Sequence, residues 1–452
     1  MSEIGNQGTT SAKSPSKKYE GFATALYNFV SLVEGYDQQM LPMCMRAFEI
    51  TLGVSQSQLS TMATMSTMSQ LGCCLIWGIL VDNNDPQYLL AAGLLVVGMA
   101  SILLSTASHY KVILFLRFLH GFAFACIYPS QQRIVSDSQD ESKFSMVFGY
   151  YGWRTSYVML GYMWILVGIA IALWMKWSPN TNSDTAANGQ QPIATSANKG
   201  SFTAEIKQSF SDVFTQPTPG ILILAVFISE APLCAFSYVV LYLQYLGVSD
   251  VMAGAAVAVT LIGAAVACAA GGMVMKTEGL KTNDYLHLSC GVVVMVIRLV
   301  VCLCFFLGPA PPGRLLWYHY IEFALIGASL MTVGAVDRPL INNSIQKKIQ
   351  GTASAIIRCI SGIASSVIFY QLAAYLSEKV FGYVPSREAF DVMEASIKDR
   401  NKEALRKSMM YIIVAGSVLN TLCYIALFPI YPGHKQNLNK ENGVAAAAKA
   451  AA

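Results

Sequence analysis

Charge is what this sequence has least of. Only 12% of its 452 residues are Asp, Glu, Lys or Arg, against 54% hydrophobic, whereas soluble globular chains carry about 25% charged residues. A water-soluble fold is thereby nearly excluded. An excess of one sign is missing too, because 30 basic and 26 acidic residues leave a net charge of +4, too balanced for a nucleic-acid partner. The 11 cysteines form no CxxC pair and no Cys/His spacing suited to a metal, and most (Cys73, Cys74, Cys126, Cys234, Cys268, Cys302, Cys304) sit in apolar stretches. Neither a disulfide framework nor a metal centre is expected. There is no phosphate-binding glycine loop, which argues against an ATP-driven pump, and no nucleophile motif. No enzymatic activity and no cofactor are expected. Residues 1–21 lack an apolar core followed by a cleavage site, so the first membrane helix is read as the targeting signal.

Long apolar runs are what the chain does have. A bilayer core takes about 20 apolar residues per helix. Runs bounded by polar or Gly/Pro clusters predict eleven spans, near 22–45, 58–82, 87–106, 112–135, 155–177, 220–245, 251–275, 286–307, 315–336, 352–377 and 408–431. The fold class is an all-α polytopic protein, multi-pass in the plasma membrane or an internal organelle membrane. Residues 178–219, rich in Asn, Gln, Ser and Pro, form a linker. It parts an N-terminal bundle (22–177) from a C-terminal one (220–431), with tails at 1–21 and 432–452.

An internal repeat accounts for that division. Arg117, Gly121 and Arg133 punctuate RFLHGFAFACIYPSQQR in the fourth span, and Glu322, Gly327 and Arg338 punctuate EFALIGASLMTVGAVDR at the matching place in the second half. Glu34 and Glu230 match more weakly, in the first span of each half. Duplicated halves are typical of secondary transporters. The comparison also exposes a gap: after Arg133 the first half reaches Trp153–Arg154 and its next span with too few apolar residues for a fifth helix. The fifth span is read as missing or cut to a stub, with a re-entrant piece at 141–153 as the rival reading. Basic residues at Lys276, Lys281, Arg338, Lys347, Lys348, Lys435, Lys440 and Lys449 fall on one side with a cytoplasmic N-terminus only if twelve-span parity is kept.

These features resemble the major facilitator superfamily: two six-helix halves, a central polar loop, an RxxxGF opening of the fourth helix at Arg117, and Gly152-Trp153-Arg154 opening the sixth. The loop Gly78–Pro86 is similar to that family's loop signature in Gly78 and Asp82, without the basic residues that normally follow. Gly35-Tyr36-Asp37 resembles the spinster-like and organic-anion branches, with Gln38 where an arginine is usual. The resemblance implies two pseudo-symmetric bundles, alternating access, and a proton-coupling role for Arg117.

Ionisable residues inside a span are costly and usually face a cavity or a partner. Glu34 and Asp37 are one turn apart on one helix face, where two carboxylates would raise each other's proton affinity. Arg117 and His120 repeat that spacing in the fourth span, and histidine titrates near physiological pH. Glu230, Arg298, Glu322 and Arg358 lie within apolar runs of the second half. An Arg117–Glu322 pair across the halves would make a gate; static pairs such as Glu230 with Arg358 are the alternative. Tyr36 and Tyr128 are placed for a cavity, and Trp77, Tyr88 and Trp317 for the interface. The balanced charges of 378–407 suggest a solvated external cap, with a helix as one form it can take. The expected function is secondary transport of a small organic solute by a monomer, with protons and lipid as further partners. The competing reading is a non-transporting, receptor-like relic.

Overall fold

The structure, a computed structural model, describes residues 17–127, 130, 153–177, 217–275, 283–309, 311, 313–345, 350–438 and 440. Its elements are helices: α1 (Lys17–Leu52), α2 (Gln56–Asn83), α3 (Pro86–Thr106), α4 (Tyr110–Phe124) and α5 (Trp153–Trp177) in the first half. The second half has α6 (Pro217–Ser229), α7 (Ala231–Phe236), α8 (Val239–Tyr245), α9 (Asp250–Met275), α10 (Asp284–Leu307) and α11 (Trp317–Asn343). It closes with α12 (Gln350–Tyr375), a π-helical turn (Leu376–Val380) and α13 (Ala395–Leu427). Among the described residues, seven helical stretches are each long and apolar enough to cross a membrane, α6 to α8 counting as one. The other four expected spans correspond to the helices α1, α2, α4 and α11.

Local sequence sets the boundaries. α1 ends at Gly53, which takes the left-handed conformation (φ 67°) that an L side chain resists. Ser55 and Gln58 then close a capping box that opens α2. Asp85 caps α3 with Pro86 at its first position, where a missing N–H costs nothing. In the second half Pro232 has no N–H to offer, and the chain breaks between α6 and α7 at Glu230.

Helix directions follow from contacts. We call the end of the bundle where α1 terminates distal, and the end nearer the N-terminus proximal. α5 starts at the distal end, because Arg154 donates to the carbonyls of Ser105 and Ala107 at the end of α3. From there it runs antiparallel to α3, with Gly98 and Gly161 face to face. A Cβ on Gly98 would stand 2.6 Å from the Gly161 carbonyl oxygen, and one on Gly161 2.7 Å from that of Gly98. α4 and α5 thus both begin at the distal end, the direction a fourth and a sixth span share in a six-helix unit. The gap between Arg133 and Trp153 where the fifth span is read as missing, and the rival re-entrant piece at 141–153, lie outside the described residues apart from Trp153.

The repeat has a packing counterpart. A Cβ on Gly121 of α4 would strike the Ser66 carbonyl oxygen of α2, and one on Gly327 of α11 would strike the Thr260 carbonyl oxygen of α9. α4 is regular to Phe124, a turn follows and helix resumes at Ile127 and Ser130, while the rest of the span expected near 112–135 lies outside the described residues. One boundary differs from expectation. α13 begins at Ala395 rather than 408, because the charged stretch before the apolar run is itself helical, with Lys402–Asp399 and Arg406–Glu403 pairs one turn apart. Trp77 is not an interface residue: it is buried, and its indole N–H donates to the Phe122 carbonyl at 2.7 Å. Trp317 and Tyr88 are exposed as expected.

Candidate functional site

The sequence placed Glu34 and Asp37 side by side, but the fold gives them different surroundings. Asp37 is 4% exposed and turned into the first bundle. Its Oδ2 lies 3.0 Å from His120 Nε2 on α4 and accepts the Trp164 indole N–H of α5 at 2.7 Å. Glu34 is half-buried and reaches Gln38, one turn on, at 3.5 Å. Three helices thus meet on a single carboxylate oxygen. His120, 3% exposed, is stacked on Phe124, and Phe124 stands edge-on to Trp164. Apolar rings keep water from the pair and fix the imidazole plane.

Arg117 lies one turn before His120 on α4. It is 5% exposed, so it does not snorkel to the interface, and its Nη1 donates to the Tyr157 hydroxyl of α5 at 3.3 Å. Tyr36 is buried on α1 beside this group. Pro42 lies inside α1 one turn beyond Asp37 and withholds an N–H from the helix ladder there. Asp37, His120, Arg117, Trp164 and Tyr157 therefore form one buried polar cluster held by α1, α4 and α5. Trp164 and Tyr157 escaped sequence reasoning because an aromatic residue in an apolar run looks like core or belt.

The second-half candidates do not converge in the same way. Arg298 is 1% exposed and bonds within its own bundle, from Nε to Ser329 Oγ at 3.2 Å and from Nη2 to the Ser329 carbonyl at 2.7 Å. Glu322 is half-buried, with an Oε2 that meets no partner. Arg117 and Glu322 do not pair in this structure. Glu230 sits half-buried at the break between α6 and α7. The side chains of Arg358 and Asp82, and all of Tyr128, lie outside the described residues; Gly78 is half-buried on α2. Asp337, overlooked in the sequence beside Arg338, is buried on α11 and accepts the Tyr424 hydroxyl at 2.6 Å. Among the described residues no group of His, Cys, Asp and Glu could hold a metal ion.

Residues 27–152 and 144–369 match the Major Facilitator Superfamily. No curated protein matches the chain. Among solved structures, the chain is similar to a bacterial homolog of the human lysosomal transporter Spinster, in an inward-facing and unoccupied conformation. The TM-score is 0.69 at 13% identity, covering 91% of this chain and 98% of that one. It is also similar to a mutant of the nucleoside transporter NupG (TM-score 0.62, 11% identity, 89% and 98% covered). A D-xylose-proton symporter gives 0.60 at 12% identity, with 89% and 97% covered.

Proposed function

Because the chain belongs to the Major Facilitator Superfamily and is an integral multi-pass membrane protein, we propose that it is a secondary active transporter. In this reading it moves a small organic solute by alternating access and couples the movement to protons at Asp37 and His120. The observation that carries the reading is the buried Asp37–His120 contact between α1 and α4, with Arg117 one turn away. A carboxylate and an imidazole at 3.0 Å can hold one proton more or fewer out of reach of water, and ionisable groups at such depth are costly unless used. Without the extra proton the pair carries a negative charge that offsets Arg117. With it the pair is neutral overall, and Arg117 is left to recruit another negative or polar group. Proton uptake thus changes what the cluster binds best, and a difference in contacts between states is what moves an alternating-access equilibrium.

Half-buried Glu34, Glu230 and Glu322 are the remaining candidates for contact with the solute. The basic residues that the sequence sets after α9 and α11 and in the tail support, by the positive-inside bias, a cytoplasmic proximal side. A symporter that couples xylose to protons shares the fold, so proton coupling is compatible with this architecture.

The test is uptake by proteoliposomes under an imposed pH gradient, screened over organic anions, amino acids, zwitterions and amphiphiles. Asp37→Asn and His120→Phe should each lose gradient-driven accumulation by about tenfold or more, the range of positioned proton-transfer groups, while still exchanging solute between equal pools. Accumulation unaffected by either change would remove these residues from coupling. Absence of flux for every solute class would favour the receptor-like relic.

A further inference from the structure

Resting on the alternating-access reading, we propose that the segment 381–394 is a strap that latches the distal end shut. We further propose that the latch opens without separating charges. The segment was expected to be a solvated cap. Most of its residues are exposed, as expected, but Tyr383 and Met393 are buried, and the strap lies on the end of α1. It is fastened to its own half by Asn401 of α13, 0% exposed, whose amide exchanges two 2.8 Å hydrogen bonds with the Val384 backbone.

The strap grips two charged residues of α1. Arg46 and Glu49 are 3% and 0% exposed, and they pair with each other at 2.7 Å across one helical turn. The strap offers them only neutral groups. Arg46 donates to the carbonyl oxygens of Ser386 (2.9 Å) and Glu388 (2.5 Å) and lies over the Phe390 ring, 4.6 Å from its centroid. Glu49 accepts the Tyr383 hydroxyl at 2.9 and 3.0 Å and the Ser386 N–H at 3.1 Å. Burial, with the Glu49 carboxylate beside it, pushes the Tyr383 hydroxyl well above its ordinary range, so it stays a donor. Below this contact, Ser60 meets Tyr238 and Thr64 meets the Ser366 carbonyl, so the halves are zipped from the distal end towards mid-depth.

A gate made of one charge from each half would leave two unpaired ions on opening, the costly way to break a buried pair. Here both charges sit on α1 and travel together. Opening gives up hydrogen bonds and ring contacts, which water replaces, and leaves the ion pair whole.

The experiment measures spin-label distances between genetically encoded labels at His109, in the distal turn of the first half, and Val251, at the distal start of α9, in lipid nanodiscs. Tyr383→Phe removes the strap's hydroxyl from Glu49 and should raise the ratio of open to closed populations about tenfold, as befits a hydrogen bond to a charged group. Asn401→Ala, which unfastens the strap from α13, should act in the same direction. The exposed rim substitution Arg387→Ala, which removes a 3.1 Å bond to the Leu52 carbonyl, serves where the buried variants do not fold and should give a smaller shift of the same sign. For the unaltered protein the ratio should change less than about twofold between roughly 0.05 and 0.5 M salt, since no charges are parted. A two-state parent whose variants do not move, or one with steep salt dependence, overturns the strap alone. A single distance under every condition overturns the strap and alternating access together.

Discussion

A carboxylate in a membrane bundle is defined by its donors. Asp37 has an imidazole and an indole N–H on one oxygen, whereas Glu34, one turn away, has a glutamine at 3.5 Å. Helical spacing puts the two on one face, but only neighbouring helices decide which is enclosed. Glycines at this scale are set the same way. Gly327 lies against the Thr260 backbone, while an added methyl at Gly35 would meet nothing within 4 Å. Gly327→Ala should therefore cost about 1–3 kcal/mol through overpacking, and Gly35→Ala should be neutral or gain up to about 1 kcal/mol from helix propensity. Thermal unfolding of the two variants in the same detergent checks both; equal midpoints would remove the packing argument.

At the scale of elements, α1 and α4, two of the three helices that hold the buried cluster, are richer in ionisable residues than the third, α5. α1 holds Glu34, Asp37, Arg46 and Glu49, α2 is rich in Ser, Thr and Gln, and α4 holds Arg117 and His120. Such helices face the bundle interior, and interior polarity dilutes the apolar signal that lipid-facing helices such as α10 keep. Helix ends, by contrast, obey local chemistry. The Ser55 hydroxyl accepts the Gln58 N–H at 3.2 Å and the Gln58 side chain accepts the Ser55 N–H at 2.9 Å. Ser55→Ala should loosen the first turn of α2 by about 1 kcal/mol, read as about fivefold faster hydrogen exchange at Gln56–Gln58. Unchanged exchange would show that distal packing, not the cap, holds that turn.

For the whole molecule, direction matters more than the number of helices. Tyr245, which ends α8, lies against Arg46 near the end of α1, and α5 ends at the end of the bundle where α3 begins. The start of α1, the end of α5 and the start of α6 therefore share the proximal side. Accessibility reporters placed before residue 17 and within 178–216 should react from the same membrane face, and one at Ser108 from the opposite face. Reporters before 17 and within 178–216 on opposite faces would contradict the twelve-span parity.

How far the sequence reaches follows from which forces are local. Apolar runs, caps, prolines and the two related glycine motifs act over a few residues, so the helical class, most boundaries, the two halves and family membership were legible without coordinates. The same is true of Asp37, Arg117 and His120, whose cost in hydrocarbon marks them wherever they occur. Partner choice is different, because it depends on groups far apart in the chain. Nothing in the sequence distinguishes Glu34 from Asp37 as the enclosed acid, pairs Asp37 with a histidine 83 residues away, or tells Arg117 to bond Tyr157 rather than Glu322. Arg46 and Glu49 lay just beyond the span predicted for the first helix, and 381–394 had only a balanced charge to describe it. Tertiary packing made them a closure by burying an ion pair of one half under neutral groups of the other, a match that exists only once the helices are side by side.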